Sequence, residues 1–287
     1  MKIMKRNRLT SILLASLASI TLAWGDFTTI NFPGASFTAA RGINPQGDIV
    51  GSYFIGSGNF HGFLLSQGVF TSIDYPQSIA TFLYGINAAG DIVGKYSDTN
   101  GTIHVFVLQR GVPITLDFPG ARFELGGPMG INASGEITGG YFDTANKLHG
   151  FLLSHSGFVT VDYTSDGAMG TSFNGISPTG VLSGSFVDSL GRGQALLATR
   201  EGFQRLTVPG SNSQTVASGI TATGEVVGTS RNSAGTVHGF RLSKGEYHFF
   251  DPPGSTRTQV FGVNPAGQIA GSYFTADGVA HGFLYTP

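Results

Sequence analysis

A glycine followed by Ile or Val recurs at Gly42, Gly85, Gly130, Gly175, Gly219 and Gly262, with spacings of 43, 45, 45, 44 and 43 residues. No other feature limits the fold as strongly, because a unit that repeats at this period buries its apolar face only against its neighbours. Six units fill the chain from residue 26 to its end.

Each unit carries four runs of strand character, which in the first are Phe27 to Phe32, Ala39 to Asn44, Asp48 to Tyr53 and His61 to Leu65. A turn of the Asn-x-x-Gly kind separates the second run from the third and is closed by Gly47, Gly90, Gly135, Gly180, Gly224 or Gly267. A residue able to take φ > 0 is favoured there. A longer polar loop joins the third run to the fourth, as in Ser97 to Thr102 and Asp143 to Lys147. Apolar spacing of three and four never persists long enough for a helix beyond the first 25 residues. Four antiparallel strands in about 44 residues is the size of a propeller blade.

The expected fold is therefore all-β, a six-bladed β-propeller of four-stranded antiparallel blades, with a β-solenoid or open sandwich as the alternative. The chain opens on a run that elsewhere follows the His-Gly-Phe run, and it ends at Pro287, just after His281-Gly282-Phe283-Leu284. The N-terminal strand is expected to close the ring as the outer strand of the last blade, leaving no long unpaired edge.

Composition agrees: 44 Gly, 23 Phe and only 11% charged residues suit short strands, tight turns and an aromatic core. Residues 1–25 read as a secretory signal, with Lys2, Lys5, Arg6 and Arg8 before an apolar run from Ser11 to Ala23 and small residues at Ala23 and Gly25. That run is too short to span a membrane comfortably. The expected product is one repeat domain, residues 26–287, secreted to the periplasm or the cell exterior with no membrane span. Loss of the leader leaves 12 basic against 17 acidic residues, a formal charge of −5. No basic stripe remains to displace counterions, so nucleic acid is not an expected partner. The absence of cysteine excludes disulfides, thiolate metal sites and thiol nucleophiles.

One polar pairing repeats with the units. The residue opening the fourth run is His61, His104, His149, Gln194, His238 or His281, and thirteen positions on stand Asp74, Asp117, Asp162, Thr207 and Asp251. A two-residue turn between Ser66 and Val69 places His61 opposite Asp74 on one face of a hairpin, and the register carries over to the other units. Where the His becomes Gln194, the Asp becomes Thr207; ring closure offers Asn31 to His281. Such residues can ligate metals or act as bases. Their repetition in a ring favours a structural hydrogen bond instead, and no metal or cofactor is expected. Repeated Tyr53, Tyr96, Tyr141 and Tyr273 are read as core, and the loops at Asp98, Asp143 and Asp188 as Asx turns.

The recurring Gly-Ile-Asn-x-x-Gly-x-Ile-Val-Gly-x-Tyr followed by His-Gly-Phe-Leu resembles the bacterial extracellular repeat family named for its His-Ala-Phe signature. Here Gly62, Val105, Gly150, Gly239 and Gly282 stand in place of the Ala, and the fourth unit departs furthest with Gln194-Ala195-Leu196. The resemblance spans residues 26 to 287 and implies an exported protein with propeller-like repeats. It implies no catalytic residue and no substrate.

A single site must break the symmetry that the repeat imposes. The short turns share one rim, and the long loops Gly34 to Thr38, Gly120 to Gly126, Thr164 to Gly170 and Gly254 to Gln259 share the other. Residues that break the repeat there are Arg122, Glu124, Asp166 and Arg257, joined by Arg41 and Tyr84 on strands expected to line the central channel. The chain has neither a Gly-x-Ser-x-Gly elbow nor a His-Glu-x-x-His motif. The expectation is a monomeric, non-catalytic binding or scaffolding module for an extracellular ligand, a glycan or a protein. A carbohydrate-active or lactone-type propeller enzyme, and a structural cell-surface or matrix component, are the alternatives.

Overall fold

Wherever the sequence places its short Asn-x-x-Gly turn, the chain reverses. In the first such turn Asn44 Oδ1 accepts the backbone amides of Gln46 and Asp48 at 3.0 and 2.8 Å, and Gly47 takes φ 86°. The computed structural model describes residues 25–287 other than Ser57 and Pro119, without the side chains of Glu124, Leu125, Pro128 and Asn212. The expected leader, apart from Gly25, lies outside the described residues.

The described residues form strands throughout. β1 (Asp26–Ile30) comes first, and the first unit follows as β2 (Phe37–Ile43), β3 (Ile49–Phe54), β4 (Phe60–Ser66) and β5 (Val69–Ile73). The second is β6 (Ala80–Ile86), β7 (Ile92–Ser97), β8 (Ile103–Gln109) and β9 (Val112–Thr115). The third is β10 (Arg122–Ile131), β11 (Ile137–Phe142), β12 (Leu148–Ser154) and β13 (Gly157–Val161). The fourth is β14 (Gly170–Ile176), β15 (Leu182–Val187), β16 (Gly193–Thr199) and β17 (Gly202–Arg205). The fifth is β18 (Ser211–Ile220), β19 (Val226–Asn232), β20 (Val237–Ser243) and β21 (Glu246–Phe250). The last is β22 (Arg257–Val263), β23 (Ile269–Phe274) and β24 (Ala280–Thr286).

Consecutive strands of a unit pair antiparallel, and β24 takes β1 as its outer neighbour, in register from Asp26–Thr286 to Ile30–Gly282. The first strands contact one another in the order β2, β6, β10, β14, β18, β22, and β22 contacts β2. Two expected loops are shorter than their sequence suggests: β10 starts at Arg122 and β22 at Arg257, because the first strand continues past the point where apolar alternation is recognisable.

The core follows from the triplet that opens each fourth run. Its third residue is Phe63, Phe106, Phe151, Leu196, Phe240 or Phe283, each no more than 2% exposed. Burying one such side chain stabilises by about 1.5–3 kcal/mol. The Phe63, Phe106 and Phe283 rings press on Gly51, Gly94 and Gly271 of the preceding strand, where a Cβ would strike both the ring and a backbone carbonyl. Between units, Phe32 stacks on Tyr53 and Tyr75 on Tyr96, each with centroids 3.6 Å apart.

Polar groups fasten one unit to the next. Asn87 Nδ2 donates to the carbonyl of Asn132 at 3.2 Å, Asn132 Nδ2 to that of Ser177 at 3.4 Å, and Asn264 Nδ2 to that of Asn44 at 3.2 Å. The last bond joins the final unit to the first across 220 residues of sequence. Where Asn gives way to Ser177, the shorter side chain bonds instead within its own turn, to the amide of Val181 at 3.0 Å.

Candidate functional site

The innermost strand of every unit has the same irregularity. Its pairing with the second strand slips by one residue, leaving Arg41, Tyr84, Met129, Asn174, Ser218 and Phe261 unpaired in a β-bulge. A bulge re-aims the side chain it carries. Here five of these six residues lie between a cavity of about 280 Å³ and a smaller recess of about 80 Å³, lining both. Each stands immediately before a repeat glycine.

Those glycines form a collar around the recess. A methyl group on Gly42 would stand 2.8 Å from the carbonyl oxygen of Tyr84, one on Gly130 3.0 Å from that of Asn174, and one on Gly262 3.0 Å from that of Arg41. Backbone from one unit touches backbone of the next, which leaves no room for Cβ and explains why this glycine defines the period.

The larger cavity is unequally built. Units five and six contribute most of its wall, through Gln214, Thr229, Arg231, Arg257, Gln259 and Phe261. It lies toward the rim of the long loops, since Arg257 starts its strand and Arg231 nears the end of β19. Three arginines, Arg41, Arg231 and Arg257, line it, with no Asp, Glu or His among the described residues of the wall. The Arg41 guanidinium sits between the Tyr84 and Phe261 rings, 5.0 and 4.9 Å from their centroids, an arrangement that holds a cation by its attraction to the ring faces. Arg257 lies over Phe274 at 5.4 Å. The Nε atoms of Arg41 and Arg231 are buried without a hydrogen-bond partner among the described residues.

Of the residues singled out by sequence, Arg41, Tyr84 and Arg257 thus come together. Arg122 does not line the cavity and bonds through Nη1 to Asn146 Oδ1 at 2.8 Å. Asp166 stands apart at an outer edge, accepting from Tyr163 Oη at 2.6 Å and from Arg205 Nη1 at 3.1 Å, and these bonds hold its carboxyl below the usual range. The Glu124 side chain lies outside the described residues. Sequence reasoning missed Arg231, Gln214, Gln259 and the other bulged residues. One signal was available: the position before the repeat glycine reads Arg, Tyr, Met, Asn, Ser, Phe, never the same residue twice.

The His/Asp register is present as geometry. His61, His104, His149 and His238 place Nδ1 at 2.9, 2.6, 2.6 and 2.6 Å from the carboxylates of Asp74, Asp117, Asp162 and Asp251. His281 Nδ1 lies 2.9 Å from Asn31 Oδ1. A tyrosine of the second strand flanks the ring of His61, His104, His149 and His281, as Tyr141 does at 5.1 Å from His149, whereas His238 stands opposite Ser230. The Asx-turn residue reaches the other nitrogen: Asp143 Oδ1 accepts the amides of Ala145 and Lys147, while Oδ2 lies 3.2 Å from His149 Nε2. In the fourth unit Gln194 donates to Asp188 at 3.2 Å, and Thr207 is exposed. Among the described residues no group of three His, Asp or Glu is placed to hold a metal ion.

These contacts are partly buried, with 13% and 20% exposure for the side chains of His149 and Asp162, so removal of either should leave its partner poorly satisfied. His149→Ala and Asp162→Ala should each destabilise, and the double variant should cost less than their sum by about 0.5–2 kcal/mol. Urea denaturation of the four proteins measures this coupling; strict additivity would contradict it.

Charge on these units gives a pH signature. The hydrogen bond to Asp117 raises His104 above its ordinary value of 6.5, against the opposing effect of burial. A raised pKa means the folded state holds the proton more tightly, so this contribution is complete below 6.5 and is lost as pH rises through the folded value. Asp98 behaves oppositely: the Thr102 amide lowers it from 3.8, so its contribution is present above that pH and lost as pH falls. The melting-temperature gap between the wild type and His104→Gln should be widest near about pH 5–6 and narrow by about pH 9. An unchanged gap across that range would contradict it.

No family model matches the chain, and no curated protein does. Solved structures do match. TolB from Acinetobacter baumannii superposes with TM-score 0.56 at 14% identity, over 79% of this chain and 60% of that one. The lectin SapL1, in complex with α-methyl fucoside, gives TM-score 0.55 at 8% identity, over 83% and 88%. A gluconolactonase from Xanthomonas campestris gives 0.53 at 13% identity, over 92% and 90%. At such identities the likeness concerns the fold alone, which is all-β and of the propeller type.

Proposed function

We propose that the chain is a six-bladed propeller, closed by β1, that works as a non-catalytic binding module with its ligand in the cavity at the long-loop mouth. Closure is supported by the bonds of β1: Thr29 Oγ1 lies 3.0 Å from Tyr273 Oη, as Ser72 Oγ lies 2.9 Å from Tyr53 Oη in the first unit. β1 thus serves the last unit as β5 serves the first. The repeats and their His-Gly-Phe triplets support membership of the His-Ala-Phe repeat family, and the basic-then-apolar leader supports export. No helix among the described residues is long and apolar enough to cross a membrane.

The observation that carries the binding reading is asymmetry. Bulges, glycines and His/Asp pairs repeat from unit to unit, whereas the cavity lined by Arg41, Arg231 and Arg257 is built mainly from two units. Among the described residues no carboxylate or imidazole lines this cavity. Binding needs none. The purified 26–287 protein should show a saturable rise in melting temperature with a member of a panel of neutral sugars, sugar acids and short peptides. Self-association into large assemblies with no response to any small molecule would favour the structural-component reading and overturn this one.

A further inference from the structure

We infer that the cavity takes a sugar acid, a monosaccharide-sized polyol bearing one carboxylate; this rests on the proposal that the cavity is a ligand site. Charge is the first argument. Elsewhere the chain gives arginines a carboxylate of its own: Arg192 lies 2.8 Å from Asp188, and Arg241 lies 2.8 Å from Glu225. Arg41, Arg231 and Arg257 all line the cavity, with no acid beside them in the wall and no ion pair among the described residues. Guanidinia gathered without a counter-ion repel one another and destabilise the compact state. A chain with more acidic than basic residues had counter-ions to spare. The arrangement therefore suits an anion that arrives from outside.

The second argument is which groups are left to bond. A guanidinium offers its donors in a planar fork that matches a carboxylate. The Nε atoms of Arg41 and Arg231, like that of the ion-paired Arg241, are buried without a partner among the described residues, so it is the outer fork of each cavity guanidinium that is left to meet an anion.

Size and the remaining wall select the rest of the ligand. About 280 Å³ lies just under the roughly 300–1,000 Å³ common for small-molecule sites and exceeds what a bare oxyanion fills. Gln214, Gln259, Asn174 and Thr229 offer both donors and acceptors, as hydroxyl groups require, while Val216 and Val260 offer apolar contact for ring carbons. Neutral sugars commonly need a free aromatic face. Here the two rings of the cavity, Tyr84 and Phe261, both lie against Arg41. Recognition through charge takes the place of stacking.

The test is isothermal titration of the 26–287 protein with galacturonate, with galactose as its neutral counterpart, and with a short oligogalacturonide, on wild type and on Arg231→Gln and Arg257→Gln. Arg257 is exposed, so its variant should fold normally, and thermal melts of both variants check this. Galacturonate should bind at least tenfold more tightly than galactose, and each variant should weaken galacturonate about tenfold while leaving galactose unchanged. Tighter binding of the oligomer than of the monomer would identify the end of an acidic polysaccharide as the source; equal binding would identify the free acid. Either supports the inference. Galactose and galacturonate binding alike, with no effect of the variants, would overturn the acid while leaving the ligand site standing. Binding of neither, together with a response to some other member of the wider panel that the variants do not alter, would overturn both.

Discussion

Removal of residues 26–34 is expected to abolish the single cooperative unfolding transition of the protein and to make it aggregate. β1 supplies the outer partner of β24 along five residues. The deletion removes Ile30, which is 4% exposed, Phe27, whose ring contacts Phe250, Phe283 and Tyr285, and Phe32, stacked on Tyr53. Truncating a buried side chain such as Ile30 typically costs about 2–5 kcal/mol, and the partly buried Phe27 and Phe32 add to it. Losing three approaches or exceeds the roughly 5–15 kcal/mol by which whole domains are stable. The deletion also strips the edge of β24, whose free amides and carbonyls then template pairing between molecules. Calorimetry and size-exclusion chromatography check both effects. A truncated protein that melts in one transition within a few degrees of the intact one would show that the ends do not hold each other.

That outcome bears on how far residues alone lead. The period was legible because it is written in two series of glycines, one at the turns, such as Gly47 with its φ of 86°, and one where backbones of adjacent units touch, such as Gly42. The His149 to Asp162 register was legible because a hairpin with a short turn has one pairing. The aim of the innermost strand was not. Alternation assigns each side chain to a face by parity, and a bulge breaks parity at one residue. Arg41 and Tyr84 marked the position before the repeat glycine, but parity gave no reason to extend it to Met129, Asn174, Ser218 and Phe261, and Arg231, on a different strand of the same wall, offered no signal. Asp143 was legible as an Asx turn through Oδ1, but the contact of Oδ2 with His149 depends on how the loop folds over the hairpin. Arg122 and Asp166 broke the repeat for local reasons, each answering a polar neighbour on its own rim.

Gly175→Ala should be among the most damaging single-methyl additions. The new methyl would lie 2.7 Å from Ser183 Oγ, 2.8 Å from the carbonyl oxygen of Ser218 and 3.0 Å from Gly219 Cα. The hydroxyl can rotate away, but the other two atoms are backbone of the next unit. Overpacking costs about 1–3 kcal/mol, occasionally more. The upper end applies, because relief requires two units to separate while the rest of the collar holds them together. A loss of about 3 kcal/mol corresponds to a melting-temperature drop on the order of 6–12 °C at this chain length. Gly193→Ala is the control: its methyl would meet nothing nearer than Thr215 O at 3.6 Å, and it should change stability by less than about 1 kcal/mol. Equal effects of the two substitutions in chemical denaturation would refute the collar.

On the proposed reading, function sits where the repeat is broken and structure where it is kept. Stoichiometry separates those two most directly. A ligand seated among Arg41, Arg231 and Arg257 binds once per chain, whereas a ligand of the repeated grooves between units binds several times with similar affinity. Titration of the 26–287 protein with galacturonate, or with whichever panel ligand binds, should give one site per chain that Arg231→Gln weakens. Several equivalent sites per chain, indifferent to Arg231, would contradict the account.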